Sequence, residues 1–154
     1  SAASDVYKRQ LMGLETLSLR MQRHCDNALK IATWLEEQET VEAVTYAGLK
    51  SSQYFDRVKK VCPKGAGGLF TVALKGGYDS CIKFVNALEI FSHVSNLGDS
   101  RSLVIHTAST THRQLTVEQQ IAAGSAPNVV RISIGIEDPD DLMADLKQAL
   151  ATAK

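Results

Sequence analysis

Val129-Val130-Arg131-Ile132-Ser133-Ile134-Gly135-Ile136-Glu137 is the stretch that decides the fold. Val130, Ile132, Ile134 and Ile136 recur at every second position, the spacing that puts side chains on one face of a β-strand. That face is β-branched and belongs against a core. The opposite face carries Val129, Arg131, Ser133 and Gly135, a single guanidinium among small neighbours. Small residues there are expected to leave space above the sheet, so that a ligand can approach the arginine closely. A guanidinium offers a planar fork of donors that matches a carboxylate by two hydrogen bonds. Arg131 is therefore a candidate for holding the carboxylate of a small acid. The competing reading is a solvated arginine on the wet face of an antiparallel sheet.

Working outward, Asp138-Pro139-Asp140-Asp141 opens a helix. Asp138 can cap it, Pro139 suits its first position, and the further acids complement its positive end. Leu142, Leu146 and Ala149 or Leu150 form its buried stripe. Before the strand, residues 124–128 read as a turn, and 116–122 as a short helix opened by Thr116 with Gln119 three residues on. Strands are expected at 41–46, 69–74 and 93–97. A short helix is expected at 53–61, ended by Pro63, and another at 81–90, capped by Asp79 and Ser80. A helix or turn is expected near Ser102. Residues 103–115, rich in hydroxyls and without period, read as an extended loop beside the sheet.

Residues 11–38 have helical spacing, with Leu14, Leu17, Met21, Cys25, Ala28, Ala32 and Leu35 recurring at intervals of three or four. A helix of that length would run roughly 40 Å, long enough to pack on something outside this domain. His24 lies beside the stripe and is expected as a hydrogen-bonded boundary residue. Residues 1–10 show neither period, and are read as a non-native or unstructured leader, leaving 11–154 as one domain. The element order predicts an α/β fold: a mostly antiparallel sheet of about four strands with helices on one face, preceded by a long N-terminal helix. The face bearing Arg131 would be open, or covered by another domain.

The chain has 154 residues, 44% of them apolar and 22% charged, enough for one domain with a real core. Lysine plus arginine equals aspartate plus glutamate, at 17 each. That balance argues against nucleic acid or an anionic membrane as the main partner. No apolar run approaches the roughly 20 residues needed to span a bilayer. Cys25, Cys62 and Cys81 are odd in number and lack CxxC spacing. They read as reduced thiols, which points to a cytoplasmic protein.

Several other chemistries find no support. The glycine-rich turn at 63–68 precedes a β-rich segment, whereas a phosphate cradle should open a helix. His106 and His112 lie near Ser109, Thr110 and Thr111, but no strained elbow or orienting acid completes a nucleophile site. His93, His106 and His112 match no common metal spacing. No catalytic, cofactor-binding or metal-ligating residue is expected in this chain.

Three segments in order carry a resemblance: Asn96-Leu97-Gly98-Asp99-Ser100-Arg101-Ser102-Leu103, His106-Thr107-Ala108-Ser109-Thr110-Thr111-His112, and Arg131-Ile132-Ser133-Ile134-Gly135-Ile136-Glu137. They resemble the C-terminal domain of the Cys/Met-metabolism pyridoxal-phosphate enzymes, in particular the O-acetylhomoserine sulfhydrylase (O-acetylhomoserine aminocarboxypropyltransferase) branch. The opening Gly13-Leu14-Glu15-Thr16-Leu17-Ser18-Leu19-Arg20-Met21 is similar to that family's long interdomain helix. The resemblance covers residues 11–150. It implies the small C-terminal domain of a fold-type I transferase, in which Arg131 binds the substrate α-carboxylate and Asn96 assists. Many relatives with other reactions carry serine in place of Asn96, so asparagine leans towards the acetylhomoserine branch. The implied reaction makes homocysteine or methionine from O-acetylhomoserine and sulfide or a thiol, in a homotetramer when full length.

Two departures stand out. Thr107 replaces the family's proline, which loosens one φ constraint and removes no reactive group. The cofactor lysine, with its Ser-x-Thr-Lys context, is absent, so this chain alone is expected neither to attach pyridoxal phosphate nor to turn over. The rival readings are a cystathionine γ-synthase or a β- or γ-lyase of the same family, and a stand-alone module that binds small acids.

Overall fold

In the computed structural model, which describes residues 2–153 and the side chains of residues 4–153, the deciding stretch is the middle of a sheet. Strand β5 (Val129–Ser133) lies between β2 (Leu69–Leu74) and β4 (Leu103–Ile105). Outside these sit β1 (Val41–Thr45) and β3 (Ser92–His93), giving the order β1-β2-β5-β4-β3. All neighbouring pairs are antiparallel except β3 with β4, which is parallel.

The expectation of about four strands, mostly antiparallel, is therefore corrected to a mixed sheet of five among the described residues. The extra strand is β4, which was expected to be loop. Its three residues are all buried, so no alternation marks it, and a strand that short leaves periodicity nothing to register. Conversely, only Ser92 and His93 pair in the segment expected as a strand at 93–97, and Val94 to Leu97 are exposed loop.

Helices α2 (Leu17–Glu36), α4 (Gly77–Ala87) and α6 (Pro139–Thr152) cover one face of the sheet. Val130, Ile132 and Ile134 point into that layer with Phe70, Val72, Leu74 and Val104, against Ile31, Leu35, Phe84, Leu142 and Leu146. Ile136, the fourth member of the apolar series, lies past the pairing and is exposed. Helix α6 starts as its sequence requires, with Asp138 accepting from the amide of Asp140 at 2.8 Å and Pro139 in the first position. Helix α5 (Val117–Ala122) has the full capping box of Thr116 and Gln119. Helix α4 begins earlier than expected, at Gly77. Asp145 on α6 is buried, and its carboxylate accepts from the amides of Glu89 (3.0 Å) and Ile90 (2.8 Å), fixing the chain after α4.

The long first helix is broken. Helix α1 (Ala2–Glu15) and α2 meet at Thr16, where Arg20 donates from Nη2 to the carbonyl of Gly13 at 2.5 Å. Helix α1 runs through residues 2–10, which were expected to lie outside the fold; Ser1 lies outside the described residues. Its described side chains are exposed apart from half-buried Gly13, so it gains little from packing here. His24 on α2 is buried, and its Nδ1–H donates to the carbonyl of Ile134 at 2.6 Å, the boundary role expected of it. Among the described residues no helix is long and apolar enough to cross a membrane.

Candidate carboxylate-binding site

The second face of the sheet divides into two halves. On β1 and β2, Ala43 and Thr45 are exposed and Thr71 and Ala73 half-buried. On β4, Leu103 and Ile105 are buried. Arg131 lies on the boundary, paired with Thr71 on one side and Ile105 on the other. Directly opposed residues share a face, so its guanidinium rises from the side the helices leave uncovered. Arg131 is half-buried, and its side chain makes no hydrogen bond or ion pair with any described residue. Arg101, by contrast, is held by Asp99 (Nη2 to Oδ2 3.4 Å). The backbone amide and guanidinium of Arg101 together hold the Asp99 carboxyl below its ordinary range.

The expected space above Ser133 and Gly135 is filled by the chain itself. A Cβ on Gly135 would strike the backbone of Ser100 and Arg101 and the carboxylate of Glu137. Ser133 is buried, and its Oγ accepts from the amide of Gly98 at 3.3 Å. The small residues of β5 therefore admit a loop of the protein, and that loop carries Asn96. Asn96 is exposed; its Oδ1 accepts from the amide of Leu97 at 2.9 Å, and its NH2 group donates to no described residue.

Register brings the two candidates into one region. Ser92 and His93 pair with Leu103 and Val104, so β3 ends one residue short of Ile105, the partner of Arg131 across β4 and β5. Further along the chain Gly98 rests on Ser133, which lies two residues along the same face from Arg131. Asn96 lies between, and the two residues of chain from it to Gly98 reach at most roughly 7 Å.

Sequence reading missed two partners of this loop, Ser102 and Glu137. Ser102 is fully buried: its amide and hydroxyl both donate to the Glu137 carboxylate (2.6 and 3.0 Å), while its Oγ accepts from the amide of Gly135 at 2.8 Å. The available signal was the continuation of the alternation to Glu137, an acid on the same face as Arg131 with a glycine between.

The serine and histidine of the second motif do meet. His106 is buried; its Nε2–H donates to the carbonyl of Pro127 (2.8 Å), which leaves Nδ1 to accept from Ser109 Oγ–H (2.9 Å). Burial lowers the His106 pKa, opposed by the bond to Pro127. No described acid orients the ring, so the pair ties the 3-10 turn Thr107–Ser109 to the approach of β5. Among the described residues no group of three or more His, Cys, Asp or Glu is placed to hold a metal ion.

This fold matches part of a pyridoxal-phosphate enzyme. It matches a Campylobacter jejuni crystal structure described as an O-acetylhomoserine (thiol)-lyase with an N′-pyridoxyl-lysine-5′-monophosphate residue, at a TM-score of 0.86 and 42% identity, over 92% of this chain and 34% of that one. The chain belongs to the Cys/Met metabolism PLP-dependent enzyme family, whose model matches residues 2–151. It is 48% identical over 141 residues to O-acetyl-L-homoserine sulfhydrylase 1 of Thermus thermophilus, covering 92% of this chain and 34% of that protein. It is 47% identical over 143 residues to the homocysteine synthase of Schizosaccharomyces pombe, covering 93% and 33%. The chain thus spans about a third of the length of these relatives.

The family implies pyridoxal phosphate, which is held through a lysine amine. Every lysine among the described residues is exposed, and Lys30 is paired with Asp140. An attachment amine has to lose its proton easily, which burial promotes and exposure does not. The described residues therefore offer no buried lysine of the kind that would hold it.

Proposed function

We propose that this chain is the C-terminal, substrate-gripping lobe of a pyridoxal-phosphate-dependent O-acetylhomoserine sulfhydrylase. The observation that carries the reading is Arg131: a half-buried guanidinium on the uncovered face, bonded to nothing else described, with the Asn96 loop beside it. A planar fork unsatisfied among the described residues, beside the loop that crosses part of that face, is suited to a carboxylate that arrives from outside. Arg131 would bind the α-carboxylate of O-acetylhomoserine, and the free NH2 of Asn96 would donate to the same group. Their contribution is orientation, which holds the reacting carbons in place while groups elsewhere break and make bonds. Sulfide or a thiol would be the second substrate. The cofactor and its lysine would belong to a separate, larger lobe, and the whole enzyme would be a cytoplasmic homotetramer.

The test is a chimera in which this chain replaces the matching third of the Thermus thermophilus sulfhydrylase. The reading expects sulfide-dependent formation of homocysteine from O-acetylhomoserine by the chimera. It also expects neither turnover nor a lysine-bound cofactor absorbance band from the 154-residue chain alone. A folded chimera that eliminates without accepting sulfide would move the assignment to a lyase. Uptake of amino acids by the isolated chain would favour the stand-alone binding module.

A further inference from the structure

We infer that Glu137 is the positioning residue of the carboxylate site: by holding Ser102 it seats the 94–101 loop across β5, and so sets Asn96 beside Arg131. The inference rests on the reading of Arg131 and Asn96 given above.

Arg131, Ser133, Gly135 and Glu137 alternate along one chain. The first points away from the helices without a partner among the described residues, and each of the other three meets the loop. Ser133 takes the amide of Gly98, Gly135 yields the room that Ser100 and Arg101 occupy, and Glu137 takes both donors of Ser102. The backbone adds one more tie, from the amide of Ile136 to the carbonyl of Ser100 at 2.9 Å. Of these contacts, the Glu137 pair is the only one in which an ionised acceptor takes two donors, and charge-assisted bonds are about twice as strong as neutral ones. Ser102 is fully buried, so losing its acceptor would strand an amide and a hydroxyl away from water.

The anchor itself is held from below. The carbonyl of Ile134 accepts from His24, and Asn27 Nδ2 donates to the carbonyls of Gly135 (3.2 Å) and Glu137 (2.9 Å). His24 and Asn27 are buried residues of α2, a 20-residue helix packed on the core. The chain of support therefore runs from helix, to strand end, to Glu137, to Ser102, to loop. Asn96 makes no long-range bond to any described residue, so its place depends on where the loop is fastened.

Two measurements on Glu137→Ala, Glu137→Gln and Ser102→Ala test this. In the 154-residue chain, hydrogen exchange at the amides of Gly98 and Ser102 should speed by about tenfold or more in Glu137→Ala, with the β2 and β5 amides unchanged. In the chimera, KM for O-acetylhomoserine should rise by about tenfold with kcat within about twofold, Glu137→Gln should recover much of the loss, and the double variant with Ser102→Ala should be no worse than either single one. Faster loop exchange with an unchanged KM would overturn the positioning role while leaving Arg131 in place. Equal acceleration of loop and core would reduce Glu137 to a general stabiliser, and unchanged loop exchange would remove the clamp altogether. Arg131→Ala in the same chimera keeps the failures apart: if it also leaves KM unchanged, the carboxylate reading itself has failed.

Discussion

Residues 130, 132 and 134 and residues 131, 133 and 135 belong to the same six residues of chain, yet the two faces are built on different rules. Towards the helices, Val130, Ile132 and Ile134 are interchangeable in kind: each is apolar, each is buried, and volume is what matters. Towards the loop, each residue has its own task. Arg131 pairs with no described residue, Ser133 accepts a bond, Gly135 supplies absence of a side chain, and Glu137 fastens Ser102. The first face makes the domain stable, and the second uses part of that rigidity to hold a loop and leave a cation free.

The sharpest way to break this contrast is a substitution on the covered face. Ile132→Ala removes buried volume where nothing is exposed, and should cost about 2–5 kcal/mol in urea unfolding of the chain. A loss near zero would mean that the face is not packed as described. Next in size is Asp145→Ala on the covered side, which strands the amides of Glu89 and Ile90 and should cost about 1–3 kcal/mol by the same measurement.

A smaller effect comes from pH. In the unfolded chain a histidine titrates near about 6.5. Burial lowers the pKa of His106 in the fold, so as pH falls the unfolded state takes up its proton first. Stability due to His106 is therefore complete above about pH 6.5, falls below it, and levels off beneath the folded pKa. Urea midpoints compared across that range should show a shallower acid limb in His106→Gln than in the parent; an unchanged limb would mean that the ring is not held neutral by its burial. The smallest effect belongs to Arg131→Ala, which should stay within about 0.5 kcal/mol of the parent in stability. A large loss there would show that the guanidinium is part of the fold and not free for a ligand.

The same contrast explains what the sequence disclosed. The covered face was legible because burial repeats: β5, β2 and the stripes of α2 and α6 all show the period of their element. Caps were legible because Asp138 and Thr116 act on amides two or three residues away. Strand β4 was not, since three residues buried on both sides carry no period. The break at Thr16 was not either, because apolar spacing continues across it. On the site, Arg131 stood out by its place in the alternation, whereas Asn96 was named only through the family resemblance, in a segment read as strand, and Ser133 and Gly135 were read as room for a ligand. Their true neighbour, the 98–102 segment, is about 35 residues away in sequence, and no local pattern announces such a partner.

The central claim is that Arg131 clasps a carboxylate. The most direct measurement is a cycle in the chimera that compares Arg131 with Arg131→Ala on O-acetylhomoserine and on the matching amine that lacks the carboxylate. The account predicts that the substitution lowers kcat/KM on the acid by about a hundredfold or more and leaves the amine nearly untouched, because the lost fork has nothing to grip there. An equal loss on both substrates would contradict it.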